Sequence, residues 1–211
     1  MSTSIKVVVA DECVQYYNGI KQSLSAYSQI EVVAHAKNGD DLPGVVALHQ
    51  PGILLMESRL RISEGNAVKK MQEQFPNVRK IIYTWHKSMR RVEIAFEANA
   101  YGYLLKNEET TIARLAECIH IVYDGGTHFC SLCTPILQAK LNGRKPRMFT
   151  PVQLDIIPHM ARGKTSREIG KLIFKSPLTV ESYRKAMLKK TNTRKDTEFI
   201  SWCYENEYLD R

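Results

Sequence analysis

Five polar side chains of this sequence have the types and the spacing of a shared site. Asp11 and Glu12 follow the apolar run IKVVVA, and Glu57 follows GILLM. Thr84 closes the run KIIYT, and Lys106 follows GYLL. Because neighbouring carboxylates repel one another unless a cation joins them, the group predicts either a divalent cation such as Mg²⁺ or an internal lysine ion pair. The alternative is that the loops after these runs are polar without any shared chemistry.

The runs that must position these side chains have the length of buried strands. IKVVVAD, EVVAHA, GILLME, KIIYTW and GYLLK are short and nearly continuous in apolar residues, as in a parallel sheet covered on both faces. Segments with helical spacing lie between them, for example VEIAFEANA. The alternation predicts an α/β fold over residues 1–125, a flavodoxin-like doubly wound five-stranded parallel sheet. In such a sheet the polar side chains meet at the carboxyl ends of the strands.

The strand pattern disappears after residue 125. Residues 126–148 contain the Gly/Pro/basic stretch NGRKPR, typical of a linker, with a short helix in THFCSLCTPILQAKL. Residues 149–211 read as four short helices, which predict a small all-α domain. The formal net charge is +1 over residues 1–143 and +7 over residues 144–211, so the basic excess lies in the last third of the chain. A charge distribution of this kind indicates a polyanionic partner.

Two helices joined by a tight turn are predicted inside the basic segment. Thr165 and Glu168 have the spacing of a capping box and start a helix that runs to about Phe174. Pro177 suits the first turn of a second helix over about 177–190, in which Val180, Met187 and Leu188 can face the core. The pattern favours a helix-turn-helix whose second helix reads DNA. The alternative is a four-helix protein-interaction module with a basic face.

Residues 4–125 resemble the receiver domain of two-component response regulators. The order Asp11-Glu12, Glu57, Thr84 and Lys106 carries the resemblance, with Tyr103 three residues before the lysine. The surrounding sequences QPGILLMESRL and ANAYGYLLKNEE also match. The resemblance implies that the acidic pair and the residue at position 57 bind Mg²⁺, and that position 57 accepts a phosphoryl group. It further implies that the threonine and lysine contact that group and that the aromatic residue moves with activation.

Three residues depart from the receiver pattern. Glu57 stands where the family has its phosphorylated aspartate, Trp85 stands at a position that is usually small, and Arg61 at one that is usually proline. The extra methylene of Glu57 displaces the carboxylate, and an error of about 1 Å can cost on the order of a hundredfold in rate. The indole is expected to crowd a phosphodonor. We therefore predict a phosphorylation-independent regulator, in which Glu57 is a fixed charge paired with Lys106, and no enzymatic activity. A decayed pocket with a purely structural ion pair, and an inefficient but working phosphoswitch fed by a histidine kinase, stay open as alternatives.

The stretch from Phe149 to Trp202 resembles the LuxR-type (NarL/FixJ) helix-turn-helix. The resemblance implies that Glu181, Ser182 and Lys185 face bases and that Thr179, Lys189 and Lys190 meet the DNA backbone. The full predicted DNA-binding set is polar and mostly basic: Lys164, Thr165, Thr179, Glu181, Ser182, Arg184, Lys185, Lys189 and Lys190. Glu181 replaces a frequent basic residue and could accept from cytosine N4 or repel phosphate. Pro158 is expected to kink the first helix of this domain.

Composition and cysteine spacing bound the remaining expectations. No apolar run approaches the roughly 20 residues of a membrane span, the N-terminus lacks a signal-peptide pattern, and the five cysteines are scattered. We expect a cytoplasmic protein that binds double-stranded DNA as a homodimer; a protein-interaction adaptor with vestigial DNA binding is the second hypothesis. Cys130 and Cys133, with His128 nearby, could form a redox pair or half of a zinc site. Because the pair lacks further ligands and lies in the predicted linker rather than after a strand, no role is predicted for it.

Overall fold

A parallel sheet organises the N-terminal part of the chain in a computed structural model that describes residues 4–107 and 110–210. Its strands are β1 (Ile5–Ala10), β2 (Ile30–Ala36), β3 (Ile53–Met56), β4 (Arg79–Thr84), β5 (Gly102–Leu105) and β6 (His128–Phe129). They lie in the order β2-β1-β3-β4-β5-β6, and every neighbouring pair is parallel. The α/β fold class and the first five strands are confirmed, each strand to within one residue.

Helices join consecutive strands: α1 (Val14–Leu24), α2 (Leu42–His49), α3 (Ala67–Gln74), α4 (Met89–Glu97) and α5 (Ile112–Tyr123). Side chains alternate across a strand, so each strand contributes to both faces of the sheet. Val7, Val9 and Leu55 belong to one core cluster together with residues of α1 and α5. Val8 and Leu54 alternate with these residues along the strands, so their side chains lie on the other face of the sheet, where they are equally buried. Burial on both faces explains why the strands read as continuous apolar runs.

The sixth strand corrects the prediction of a five-stranded sheet. β6 lies inside the predicted linker and pairs with β5, with His128 opposite Gly102 and Phe129 opposite Tyr103. Two residues are too few to give a periodic signal, which is why the sequence pattern did not reveal the strand. A 3-10 turn (Ser131–Cys133) and the expected short helix α6 (Thr134–Leu141) follow.

The chain divides into two compact units, one up to Lys87 together with Ile94–Thr134, the other Ser88–Glu93 together with the chain from Pro135 onward. The first unit thus runs beyond the predicted boundary at residue 125. The second contains the four predicted helices, α7 (Pro151–Ala161), α8 (Ser166–Ile173), α9 (Pro177–Thr191) and α10 (Asp196–Glu205). α7 continues past Pro158. No helix in the described part of the chain has the length and apolarity needed to cross a membrane.

Candidate functional site

Lys106 is the centre of the charged cluster at the carboxyl ends of the strands. It follows β5 and is almost completely buried. Its ammonium donates to Asp11 Oδ2, and it lies 3.0 Å from Glu57 Oε2. Asp11 is held from its other oxygen by the backbone N–H of Cys13, at 2.8 Å. Of the two sequence-based alternatives, a divalent cation or an internal lysine pair, this geometry realises the lysine pair.

Both oxygens of the Glu57 carboxylate accept hydrogen bonds. Oε1 accepts from the Ser58 backbone N–H at 2.7 Å, from the Ser58 hydroxyl at 3.1 Å and from the Thr84 hydroxyl. Oε2 accepts from Lys106. Burial by itself would raise the pKa of Glu57, but the Lys106 charge and these hydrogen bonds outweigh burial, so the pKa lies below its ordinary value. The carboxylate is therefore ionised at neutral pH.

Very little space is left beside this carboxylate. The cavity that Asp11, Glu57 and Lys106 line has a volume of about 10 Å³, which is at most room for one water molecule. Two aromatic rings close it: Lys106 Nζ lies 4.3 Å from the centroid of the Tyr16 ring and 5.6 Å from that of Tyr83. Burial and the hydrogen bond with Tyr83 raise the pKa of Tyr16, so its phenol stays neutral.

The indole of Trp85 does not crowd the pocket as predicted. Trp85 is 62% exposed and is absent from the side chains that line the cavity. Its ring packs against the outside of Tyr16, with centroids 5.7 Å apart. Tyr16 occupies this space instead, and its role was not predicted because it comes from α1 and belongs to no recognisable motif. Tyr103, the predicted switch aromatic, is fully buried.

Each of the three predicted Mg²⁺ ligands has a partner within the chain. Glu12 turns to Arg61, whose backbone N–H donates to Oε1 at 3.0 Å and whose guanidinium donates to Oε2 at 2.8 Å. The hydrogen bond from the Arg61 side chain is the main cause that lowers the pKa of Glu12. Asp11 and Glu57 are already paired with Lys106. Within the described residues no group of three His, Cys, Asp or Glu side chains could hold a metal ion. That Asp11, Glu12 and Glu57 bind Mg²⁺ stays a prediction.

The second candidate site is the helix pair α8–α9. Thr165 caps α8 by accepting from the Glu168 backbone N–H, and the Glu168 carboxylate accepts in return from the Thr165 backbone N–H, as predicted. Ser176 caps α9 in the same way, by accepting from the Thr179 backbone N–H at 3.1 Å. Of the predicted core face of α9, Val180 and Met187 are fully buried, and Leu188 is partly buried against the same cluster.

A close approach of backbones fixes the turn between these helices. A Cβ built on Gly170 would lie 2.5 Å from the Lys175 carbonyl oxygen, closer than real Cβ atoms come to a backbone oxygen. Lys175 N–H in turn donates to the Gly170 carbonyl at 2.9 Å. Glycine at this position therefore allows α8 to meet the start of α9, and with it sets the orientation of α9.

The predicted DNA-binding residues divide into exposed side chains and side chains with structural partners. The exposed members on α9 are Glu181, Ser182, Lys185, Lys189 and Lys190, of which Lys190 also has a structural partner. Arg184 instead donates to Ser166 Oγ at 3.0 Å and pairs with Asp196, so it joins α9 to the start of α8 and to α10. The Lys190 ammonium donates to the Met148 carbonyl at 2.8 Å. Thr165 and Thr179 take part in caps, and Lys164 is half-buried.

Leu178 is a residue of this face that the sequence analysis missed. It lies in the first turn of α9 and is 77% exposed. In the major groove an apolar side chain at the start of a recognition helix can contact a thymine methyl group. The signal that could have identified it is its position, directly after Pro177 in the half of the helix that reads base edges.

Comparison with known proteins matches both units. Residues 7–118 match the response regulator receiver domain, and residues 147–203 match the luxR family of bacterial regulatory proteins. Oxygen regulatory protein NreC of Staphylococcus carnosus (strain TM300) is 26% identical over 218 residues, which cover 98% of this chain and 100% of NreC. NreC of Staphylococcus haemolyticus (strain JCSC1435) is 25% identical, with the same coverage.

Solved structures with the same fold include RcsB of Salmonella typhimurium. That response regulator has a TM-score of 0.74 at 17% identity, covering 94% of this chain and 98% of RcsB. The RcsB–DNA complex has a TM-score of 0.72 at 18% identity and covers 96% and 99% of the two chains. The receiver match alone spans just over half of the sequence, and the chain belongs to the response regulators, with a receiver domain followed by a luxR-type helix-turn-helix domain.

Proposed function

We propose that this response regulator binds its DNA sites without phosphorylation of the receiver domain and catalyses no phosphoryl transfer itself. The observation that carries the proposal is that both carboxylate oxygens of Glu57 already accept hydrogen bonds, from Ser58, Thr84 and Lys106. Such a regulator does not require a histidine kinase as a phosphodonor. The competing hypothesis is a regulator that a histidine kinase switches by phosphorylation.

The groups that would contact a phosphoryl group are already in use. In the receiver family the threonine and the lysine meet the phosphoryl oxygens, whereas here Thr84 and Lys106 meet the carboxylate that would carry them. Attack on a phosphodonor needs a free carboxylate oxygen and space in line with it. The cavity of about 10 Å³ and the diversion of Glu12 to Arg61 both oppose this chemistry.

The exposed face of α9 supports DNA binding as the output. Lys185 and Lys189 are exposed, and among the described residues no ion pair involves either of them. Two RcsB dimers have been seen on two parallel DNAs, and a twofold dimer on paired half-sites is the arrangement we propose for this chain. A regulator that reads chromosomal DNA would act in the cytoplasm.

Incubation with acetyl phosphate and Mg²⁺ tests the phosphorylation claim directly. Intact-protein mass spectrometry should find the wild-type chain unmodified. Glu57→Asp is the matched variant, because it withdraws the carboxylate by one methylene and releases the contacts with Thr84 and Lys106. Phosphate on Glu57→Asp alone would assign the block to the extra methylene; phosphate on neither would assign it to the closed pocket as well. Stoichiometric acid-labile phosphate on Glu57 would overturn the proposal.

Selection of DNA from a random pool by the untreated full-length protein tests the output. Recovery of a two-part motif, with an affinity that acetyl phosphate does not change, is the expected result. Glu57→Gln then separates two roles: weakened DNA binding would mean that the fixed charge supports the active state, and unchanged binding that the pair with Lys106 is structural. If no DNA is enriched at any salt concentration, the adaptor function replaces the regulator.

A further inference from the structure

The motif Cys130-Ser-Leu-Cys133 has a different setting from the one that its sequence position suggested. It follows β6 directly, and the Cys130 backbone N–H donates to the Tyr103 carbonyl at 2.9 Å. The four residues form one turn, closed by the Cys133 N–H donating to the Cys130 carbonyl at 3.0 Å. Helix α6 continues from this turn. The pair therefore sits at the end of a sheet strand and not in a free linker.

We propose that Cys130 and Cys133 are a redox-active dithiol, which a low-molecular-weight disulfide converts to an intramolecular disulfide. The spacing suits the bond, since residues three apart in a tight helical turn have Cα atoms about 5–6 Å apart, the distance that a disulfide spans. The backbone hydrogen bond from Cys133 to Cys130 closes the turn at 3.0 Å and holds the two residues close together.

The two thiols differ in the way that such a reaction needs. Cys130 is partly exposed, whereas Cys133 is fully buried. The hydrogen bond from Cys133, together with the backbone N–H groups of Leu132 and Cys133, lowers the pKa of Cys130 despite its partial burial. The same hydrogen bond and burial raise the pKa of Cys133. The accessible sulfur is the nucleophile, and the buried one is the resolving thiol.

The reaction balances with a disulfide R–S–S–R as the oxidant. The Cys130 thiolate attacks one sulfur, forms a mixed disulfide and releases one thiolate R–S⁻. The Cys133 thiol then gives up its proton and attacks the Cys130 sulfur, which breaks the mixed disulfide and releases the second thiolate. The two cysteines are oxidised, and the small disulfide is reduced to two thiols.

A metal site does not explain the same residues. Zinc takes four ligands in structural sites and three protein ligands in catalytic ones. Across the part of the chain that the structure describes, no three His, Cys, Asp or Glu side chains form such a group, and the nearby His128 does not complete one. Of the two roles considered for the pair on its sequence, the redox role is the one that the geometry supports.

The residues on either side of the cysteine pair connect it to the rest of the receiver fold. Phe129, the residue before Cys130, stacks on Phe96 of α4 with ring centroids 4.6 Å apart and pairs with Tyr103 in the sheet. Thr134, directly after Cys133, is the last residue of the first compact unit. A disulfide would stiffen the turn at this junction in the sequence.

Oxidation of the full-length wild-type protein by glutathione disulfide tests the proposal. Peptide mapping should find Cys130 joined to Cys133, with loss of two hydrogen atoms. Cys133→Ser should instead trap glutathione on Cys130, because the resolving thiol is gone, whereas Cys130→Ser should leave Cys133 unmodified. The other cysteines are internal controls: burial raises the pKa of Cys118 and of Cys203 to about 12, and both should stay reduced.

The pH dependence of alkylation gives a second readout that needs no variant. Iodoacetamide should label Cys130 with a midpoint below the ordinary thiol value of about 8.5, and faster at pH 7 than the exposed Cys13, on the order of several-fold. Cys133→Ser should move the midpoint back towards that value. Equal rates at Cys13 and Cys130, or five free thiols after treatment with glutathione disulfide, would overturn the proposal.

Discussion

The receiver pocket and the exposed face of α9 contain similar side chains in opposite states. In the pocket, Lys106 is buried between Asp11 and Glu57, and every charge has a partner from the chain itself. On α9, Lys185 and Lys189 are exposed, and no ion pair among the described residues involves them. A charge that the fold has already paired offers little to a ligand, whereas an exposed one can still bind a phosphate.

Under the proposed function, this difference would allow the chain to lose the phosphoryl chemistry of the receiver domain and keep DNA binding as its output. The pocket retains its acidic pair, threonine and lysine, and the Glu57 carboxylate accepts directly from Thr84 and Lys106. Arg61 takes Glu12 away at the same time. On α9 the substituted residue, Glu181, is exposed, and among the described residues no ion pair involves it.

Removal of the Lys106 charge should have the largest effect. Lys106→Met leaves Asp11 and Glu57 buried without a cation, and breaking a buried ion pair from one side costs about 3–5 kcal/mol. Chemical denaturation should show this loss in the free energy of unfolding. Lys37→Met, on an exposed side chain, is the control and should change little. A loss of similar size in both would contradict the view that the pocket is closed to water.

A methyl group at Gly170 should have the next largest effect. Gly170→Ala places a Cβ against the Lys175 carbonyl, and overpacking of this kind costs about 1–3 kcal/mol. Because the start of α9 must move, DNA affinity should fall as well. Gly44→Ala in α2 is the matched control, since its Cβ would meet no atom within 4 Å. Retained stability and affinity in Gly170→Ala would mean that the turn relaxes freely.

Two adjacent exposed lysines on α9 differ in that Lys190 donates hydrogen bonds to Met148 and Gln153, whereas Lys189 makes no ion pair among the described residues. Lys189→Ala should weaken DNA binding several-fold for all sequences and reduce the salt-dependence slope by about one, with no change in stability. Lys190→Ala should instead lower stability, because its ammonium holds the Met148 carbonyl and lies 5.9 Å from the centroid of the Phe149 ring. Fluorescence anisotropy across a salt series and thermal unfolding measure the two effects. If the two variants show the same changes in DNA affinity and in stability, the proposed difference between a DNA-contacting Lys189 and a structural Lys190 is wrong.

Periodicity and motif spacing were enough to predict most of the fold. The five longer strands and the four C-terminal helices follow from runs of apolar residues and from caps such as Thr165, which are local signals. β6 was not predicted because a strand of two residues shows no periodicity in the sequence and forms only by pairing with β5. The redox geometry of Cys130 and Cys133 was hidden with it, since it depends on where that strand ends.

The site residues were predictable as a set, and so was the pair of Glu57 with Lys106, whereas the partner of Glu12 was not. Strand ends brought Asp11, Glu57 and Lys106 together, as any parallel sheet requires. Which cation each carboxylate would choose depends on side-chain reach and on residues outside the motif. Tyr16 from α1 fills the space, and Arg61 competes for Glu12. Such competition is decided by three-dimensional contacts that spacing along the sequence does not encode.

The smallest expected effect is that of acid titration, which compares the buried carboxylate of Glu57 with the exposed carboxylate of Glu12. The folded-state pKa of Glu57 is lowered, so its contribution to stability is present above its unfolded value of about 4.3 and is lost as the pH falls through the folded pKa. Denaturation midpoints between neutral pH and pH 3 should therefore fall less steeply in Glu57→Gln than in wild type. Arg61→Ala frees Glu12, whose pKa is also lowered, but that pair is exposed and screened by solvent, so the curve should hardly change. A larger change in slope for Arg61→Ala than for Glu57→Gln would place the dominant ionic contribution at the rim of the pocket instead of its interior.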